Sequence, residues 1–371
     1  MARTWPVTRR KRALLAAFDA VARPLSSLIL RERGTPESKV RKILVLELWH
    51  MGDVVLATPV LQNLRAMYPD ARITLLAKAH ALDLLKHSPL VDEIVPFDFP
   101  WTAMSAKYDP SRYDPGAIRD LVTRLRAMEF DLSIDCRMDL RSNMLTRAIR
   151  AKRRIGYDFG GGGFLLTDAV SAPPADQHKI DDWLGLLGPL EKGNAARSVS
   201  PSLTVTAAER EEAQRVLEMY DITDADTVVG IHPGGSHEAK RWPADNFAAV
   251  AQALADRREI RLVVFVDPEG KGSDMQLGDA AFVRTSIREM MALLTQCDVL
   301  VCNDSGPMHI AAALGVPVVA LFRTGNPKAY GPRGLNHAVV GDGSVSGVES
   351  DIAVDDVIAA VESTLGTRGI A

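Results

Sequence analysis

The sequence predicts an α/β protein made of two doubly wound, parallel-sheet domains in tandem. Three observations predict it. Short apolar runs such as Lys42–Leu48, Ala71–Ala77, Thr227–Ile231 and Asp298–Cys302 alternate with longer runs of helical periodicity. These runs are apolar throughout rather than on alternate residues, as expected for strands buried on both faces. The alternation also runs through the first half, breaks, and restarts after residue 202.

In the first half, strand 42–48 leads through Trp49–Asp53 into a helix over 54–67. Leu56, Val60, Leu61 and Leu64 give that helix an apolar face, with Pro59 near its start, and Tyr68-Pro69-Asp70 stops it. A strand over 71–77, a helix over 79–87, a short run at 93–97 and a polar loop over 98–115 follow. A helix over 116–128, strand 132–135, a helix over 139–150 and an edge run at 152–157 complete the pattern. Gly160–Gly163 breaks it, and four glycines predict a mobile loop, either a lid or a linker. A helix over 181–190 and a polar interdomain stretch to Ser202 end this half.

The second half opens with a capping box, Thr206-Ala-Ala-Glu209, before a helix to Tyr220. Strand 227–231, a glycine-containing loop over 232–240, a helix over 243–257 and strand 261–266 come next. A second capping box, Ser286-Ile-Arg-Glu289, precedes a helix over 287–296. Strand 298–302 then runs through Asp304-Ser305-Gly306 into a helix that Ser305 caps and Pro307 starts. Strand 316–322, a Gly/Pro-rich loop over 323–334 and a helix over 353–365 close the chain. The divisions are an extension 1–38, domains 39–202 and 203–345, and a terminal helix and tail 346–371. Tandem domains of this kind imply a cleft with strand ends facing it.

The 371 residues are 47% hydrophobic and 25% charged, ordinary values for a globular protein. The formal charge of −3 argues against a nucleic-acid partner. It conceals an asymmetry: residues 1–42 hold eleven Lys/Arg against three Asp/Glu, a net +8, leaving −11 for the rest. Within that head, Leu14, Phe18, Val21, Leu25 and Leu28 form an apolar stripe. This predicts a helix lying on an anionic membrane, against a helix docked on the protein body or a disordered tail. Cys136, Cys297 and Cys302 have neither metal-ligand nor disulfide spacing, which predicts reduced thiols in a cytoplasmic protein. No run is long enough to span a membrane.

Three strand-end loops concentrate the chemistry. His50-Met51-Gly52-Asp53 offers one carboxylate on a short turn, suited to a general base. The plainer reading of Asp53 is a first-turn helix acid favoured by the macrodipole. His232–Pro243 supplies flexible backbone at Gly234 and Gly235, a hydroxyl at Ser236, and cations at Lys240 and Arg241, otherwise a solvated pair. Asp304–His309 sets a carboxylate, a hydroxyl, a glycine and a histidine at a helix N-terminus, where free N–H groups bind phosphate.

Together the loops resemble glycosyltransferase family 9, the bacterial heptosyltransferases. The matching residues are Gly52-Asp53-Val54 with Thr58-Pro59, Lys240-Arg241-Trp242-Pro243, and Asp304-Ser305-Gly306-Pro307-Met308-His309. The resemblance covers about residues 40–335. It implies a GT-B fold, two Rossmann-like domains with the donor bound mainly by the second. It also implies inverting, metal-independent transfer from a nucleotide sugar. Asp224-Ala-Asp226 is a formal Asp-x-Asp but reads as turn chemistry. The resemblance makes Asp53 the base and Lys240 the catalytic cation on the donor phosphates. It gives donor-binding roles to Gly234, Gly235, Ser236, Arg241, Glu269, Asp304, Ser305, Gly306 and His309. His50, Arg137 and Arg141 are candidates for the acceptor. It departs at Glu47, where lipopolysaccharide-acting members often carry a basic residue.

The expected activity is transfer of a heptose or similar sugar from a nucleoside diphosphate, ADP-heptose first. The acceptor is a lipopolysaccharide-core or other lipid-linked saccharide at the inner face of the cytoplasmic membrane. No cofactor is expected beyond the nucleotide-sugar substrate. The rivals are another nucleotide sugar and envelope glycan on the same fold, a GT-B epimerase or hydrolase that processes the donor without an acceptor, and a non-catalytic sugar-nucleotide-binding protein.

Overall fold

A computed structural model describes residues 40–103, 109–174, 177–190, 198–235, 237–257, 260–266, 270, 279–334, 336–343 and 351–366. The basic extension 1–38, Ser236 and Glu269 lie outside the described residues. The chain divides into two compact units. The first holds the described residues to Leu82 and Ser88–Val199; the second holds Asp83–His87 and the described residues from Ser200.

In the first unit the strands are β1 (Lys42–Glu47), β2 (Arg72–Ala77), β3 (Glu93–Pro96), β4 (Leu132–Asp135), β5 (Arg153–Tyr157) and β6 (Asp168–Val170). The helices between them are α1 (Met51–Met67), α2 (His80–Leu84), α3 (Pro115–Ala127), α4 (Leu140–Ile149) and, after β6, α5 (Lys179–Gly185). The second unit has strands β7 (Thr227–His232), β8 (Ile260–Val266), β9 (Ala281–Arg284), β10 (Val299–Asn303), β11 (Val318–Leu321) and β12 (Ala338–Val340). Its helices are α6 (Ala207–Glu218), α7 (Ala244–Ala255), α8 (Ile287–Leu294), α9 (Gly306–Ala313), α10 (Pro327–Tyr330) and α11 (Val354–Gly366).

The sheet orders are β3-β2-β1-β4-β5-β6 and β9-β8-β7-β10-β11-β12, and every pair is parallel. The second sheet repeats the topology of the first. In each, the strand order reverses beside the first strand, between β1 and β4 and between β7 and β10. Ligands bind open α/β sheets at the carboxyl end of that reversal.

Both sheets are buried on two faces, as the unbroken apolar strands require. One face of the first sheet packs Leu44, Leu46 and Leu76 against Leu121 and Leu125 of α3 and Leu145 and Ile149 of α4. Val229, Ile231, Val264, Val301 and Leu321 of the second pack against Phe247, Val250 and Leu254 of α7 and Val357 and Val361 of α11. The capping boxes at Thr206 and Ser286 form as expected, each with the glutamate carboxylate returned to the cap N–H. Asp226 accepts from the N–H and hydroxyl of Thr223, so the Asp-x-Asp is turn chemistry.

Helix α1 carries Pro59 at its ninth position rather than near its start. Proline has no N–H for the Val55 carbonyl, and the Thr58 hydroxyl donates to that carbonyl instead at 2.7 Å. The Thr58-Pro59 pair thus keeps the helix continuous behind the Asp53 turn.

Four expectations need correction. The helix over 79–87 is only the short α2. The helix over 181–190 starts earlier: His178 Nδ1 accepts from Ile180 N–H, α5 ends at Gly185, and a separate 3₁₀ turn covers Gly188–Leu190. Strands β6, β9 and β12 were not anticipated, because three- or four-residue edge strands carry almost no periodic signal. Gly160–Gly163 is a packed turn rather than a mobile loop. All four glycines are buried, and Asn143 Nδ2 donates to the Tyr157 and Gly161 carbonyls at 3.1 and 2.9 Å. A Cβ on Gly160 would sit 2.0 Å from the Met138 carbonyl oxygen. The glycines serve close backbone approach, and composition alone could not separate that from freedom. Gly160→Ala should therefore cost more than about 2 kcal/mol in urea unfolding. A change within about 0.5 kcal/mol, typical of a loose surface loop, would contradict the packed turn.

Candidate active site

In the second unit, the carboxyl ends of β7 and β10 lie side by side at the strand-order reversal. Asn303, fully buried at the end of β10, joins them. Its Nδ2 donates to the carbonyls of Pro233 and Gly234 at 2.9 and 3.0 Å, and its Oδ1 accepts from Trp242 N–H at 2.9 Å. Trp242 is 3% exposed, meets Phe247 edge-on at 5.1 Å, and donates its indole N–H to the Ile352 carbonyl at 3.1 Å. The Lys-Arg-Trp-Pro loop is thus anchored by its tryptophan, and Pro243 starts α7.

That anchoring places Lys240 beside the turn into α9. Its ammonium lies 2.6 Å from Asp304 Oδ2, with Asp304 buried and the Lys240 side chain 31% exposed. The backbone at Gly325 adopts φ +102°, and a Cβ there would fall 2.8 Å from the same carboxylate oxygen, so glycine leaves room for the pair. Ser305 occupies the N-cap, but its hydroxyl donates back to the Asn303 carbonyl at 3.1 Å and does not cap the helix. The first N–H groups of α9 thus have no side-chain cap at Ser305, beside a cation. This is the arrangement that holds phosphate oxygens at helix N-termini.

The other expected residues of this unit are placed as follows. Gly234 and Gly235 form the β7 loop through their carbonyls, the latter accepting from Arg241 Nε at 2.7 Å. Arg241 therefore folds onto its own loop, and its carbonyl accepts from Arg323. His309 is buried within α9.

In the first unit, Asp53 lies in the first turn of α1, half-buried, its carboxylate accepting from His50 N–H at 3.2 Å. Glu47, at the end of β1, is fully buried. Its Oε1 accepts from Trp49 N–H at 3.2 Å and pairs with Arg137 at 3.3 Å. The Arg137 guanidinium lies 4.2 Å over the Trp49 ring. Burial pushes the Glu47 carboxyl up to about 8, against the pull of Arg137. Asp135, at the end of β4, is pushed up to about 7 by burial, although Ser142 Oγ and Arg137 N–H donate to it at 2.5 and 2.9 Å. Burial and Lys78 push His80 down to about 4. Arg141 pairs with Asp139 at 2.6 Å and lies 5.7 Å over Trp101. Among the described residues, no group of three or more His, Cys, Asp or Glu side chains is arranged to hold a metal ion.

Sequence reasoning passed over Asn303, Gly325, Asp135 and the buried state of Glu47. Asn303 had one signal, a polar residue closing an apolar strand. Asp135 had the same.

The model of glycosyltransferase family 9 (heptosyltransferase) matches residues 118–346. The chain belongs to that family. It is a glycosyltransferase of GT-B fold. It is 26% identical over 317 residues to lipopolysaccharide heptosyltransferase 2 of Salmonella typhimurium, covering 80% of this chain and 86% of the relative. A family 9 glycosyl transferase structure from Veillonella parvula superposes with a TM-score of 0.73 at 24% identity, over 88% of this chain and 97% of that one. The E. coli ADP-heptose lipopolysaccharide heptosyltransferase II does so at 0.70 and 23%, over 88% and 99%.

The raised acid at Asp135 has a measurable consequence for this glycosyltransferase. Burial holds its folded pKa above the ordinary aspartate value of 3.8, so its contribution to stability is full below that value and is lost as pH rises towards about 7. Between pH 5 and 7, wild-type stability should fall, by up to about 1.4 kcal/mol per pH unit for one proton. Asp135→Asn should make that slope shallower by up to one proton's share, leaving the share of the raised Glu47 carboxyl, since an amide can still accept from Arg137 N–H. Equal slopes in denaturant titrations of the two proteins would contradict this.

Proposed function

We propose that this glycosyltransferase moves a heptose from ADP-heptose to a lipopolysaccharide-core or similar lipid-linked saccharide. Transfer inverts the anomeric centre and requires no metal ion. The observation that carries the reading is Lys240, held by Asp304 beside the N-terminus of α9, where a diphosphate would be met by one ammonium and backbone N–H groups. The names of the relatives support the sugar, the donor and the acceptor: lipopolysaccharide heptosyltransferase 2, and an ADP-heptose enzyme among the solved structures.

In this reading Asp53 removes the proton of an acceptor hydroxyl. That oxygen attacks the anomeric carbon on the face opposite the phosphate, and the bond from the anomeric carbon to the phosphate oxygen breaks. ADP leaves with its new charge met by Lys240 and the N–H groups at Ser305 and Gly306, an electrostatic role. Exchange of Lys240 from Asp304 to the diphosphate leaves Asp304 to order the loop or hold the sugar with His309. Gly234, Gly235 and Ser236 add phosphate contacts, Arg241 shapes the loop, and Glu269 takes a ribose hydroxyl. His50, Arg137 and Arg141 face the acceptor. The basic residues 1–38 bring the enzyme to the anionic inner face of the cytoplasmic membrane as a peripheral protein; no helix among the described residues is long and apolar enough to cross it.

Asp53→Asn should lower ADP release from ADP-heptose and a lipopolysaccharide-core acceptor about 10³-fold, with ADP affinity within about twofold. Lys240→Ala should weaken ADP affinity and turnover together, each by tenfold or more, about 1.4 kcal/mol each. Chelator-dialysed enzyme should keep full turnover. Wild-type turnover in Asp53→Asn removes the base, and loss of activity on chelation removes metal independence.

A further inference from the structure

The turn that carries Asp53 begins at a charged residue that the transfer chemistry does not itself use. Glu47 ends β1, six residues before Asp53, with no exposed surface. Its Oε1 holds two groups at once, the backbone N–H of Trp49 within the turn and the guanidinium of Arg137 after β4. Arg137 in turn covers the Trp49 ring at 4.2 Å, and its own backbone N–H is fixed by Asp135 at 2.9 Å. Trp49 is therefore held from two directions, by its N–H and by its ring. The next residue, His50, gives its N–H to the Asp53 carboxylate. A continuous set of contacts thus runs from β4 through Arg137, Glu47 and Trp49 to Asp53.

The other oxygen of Glu47 is buried with no hydrogen-bond partner among the described residues, and so is Arg137 Nε. A buried carboxylate in that state is costly, whereas a neutral carboxyl is less so. The charges that act on Glu47 are Arg137 and Lys179, which favour its ionised form, and Asp53, which opposes it. The Cys136 thiol beside it is held protonated by burial.

We propose that Glu47 is a positioning residue for Asp53: it fixes the Trp49–Asp53 turn through Arg137 and sets the charge beside the base. When Glu47 is neutral, it meets the Arg137 guanidinium without an opposite charge, and the hold on the turn is weaker. When Glu47 gives its proton to water, its contact with Arg137 becomes a charged pair and, through Trp49, holds the turn that carries Asp53 more firmly. The consequence for turnover rests on the role of Asp53 given above; the coupling between Glu47 and Trp49 does not.

Two readouts separate these. Intrinsic fluorescence of the full chain, titrated from pH 6 to 9.5, should show a transition near pH 8 in wild type, absent in both Glu47→Gln and Trp49→Phe. ADP release from ADP-heptose with a lipopolysaccharide-core acceptor should give a wild-type kcat that rises severalfold through the same pH. Glu47→Gln should lose that rise while the KM for ADP-heptose stays within twofold. A Glu47→Gln enzyme whose kcat follows wild type at every pH overturns the proposal, as does one whose kcat falls by the same factor at every pH. A fluorescence transition that survives in Glu47→Gln also overturns it. If Glu47→Gln does not fold, Arg137→Gln should move the transition up by a pH unit or more, and an unmoved midpoint counts against the proposal. Wild-type protein with the transition but no turnover would overturn the assigned activity and leave the Glu47–Trp49 coupling standing.

Discussion

The side chain of Asn303 holds the strand-end loops of the second unit in shape. Three backbone groups from the β7 loop and the tryptophan loop converge on one buried amide, which uses both of its N–H donors and its carbonyl oxygen within the protein. A neutral amide can do this in a dry setting at little electrostatic cost, whereas a carboxylate would need a cation and a lysine could not accept. Everything nearby follows from that fixing. Trp242 is set into the core, the preceding Lys240 is brought to Asp304, and the N-terminus of α9 keeps N–H groups free of a side-chain cap at Ser305.

The two units share a topology but differ in how their strand-end loops are held. Both stitch the start of the central strand with an aspartate from the neighbouring one. Asp131 accepts from the N–H groups of Arg41 and Lys42, and Asp298 accepts from Val228 N–H. At the opposite, carboxyl edge they diverge. The second unit uses the neutral amide of Asn303. The first uses buried charge, with Glu47 against Arg137 and Asp135 against Ser142. An amide keeps its geometry across pH, while buried acids make local structure depend on it. The Asn303 anchor of the second unit is therefore neutral, whereas the anchors of the first unit include carboxyls that burial pushes up.

Much of this was legible in the sequence, for physical reasons. Strands buried on both faces write themselves as unbroken apolar runs, so the long central strands were plain. Caps such as Thr206 and Ser286 act through local bonds and show as local motifs. The three strand-end loops stood out because polar and small residues there interrupt apolar runs. What stayed hidden depends on groups distant in the chain. Asn303 bridges to residues about seventy positions away, and the buried Glu47 is met by Arg137, ninety positions on. Gly160 reads as freedom until the Met138 carbonyl is seen against it. Edge strands β6, β9 and β12 pair on one side only and need little sequence pattern.

The proposed transfer needs a diphosphate held at the reversal point of the second sheet. A crystal structure of the protein with ADP bound is the direct test. The β-phosphate is expected within hydrogen-bond reach of the Ser305 and Gly306 N–H groups, with Lys240 Nζ moved from Asp304 to a phosphate oxygen. A nucleotide bound elsewhere, or bound here with the Lys240–Asp304 pair intact and the N-terminus of α9 empty, would contradict it.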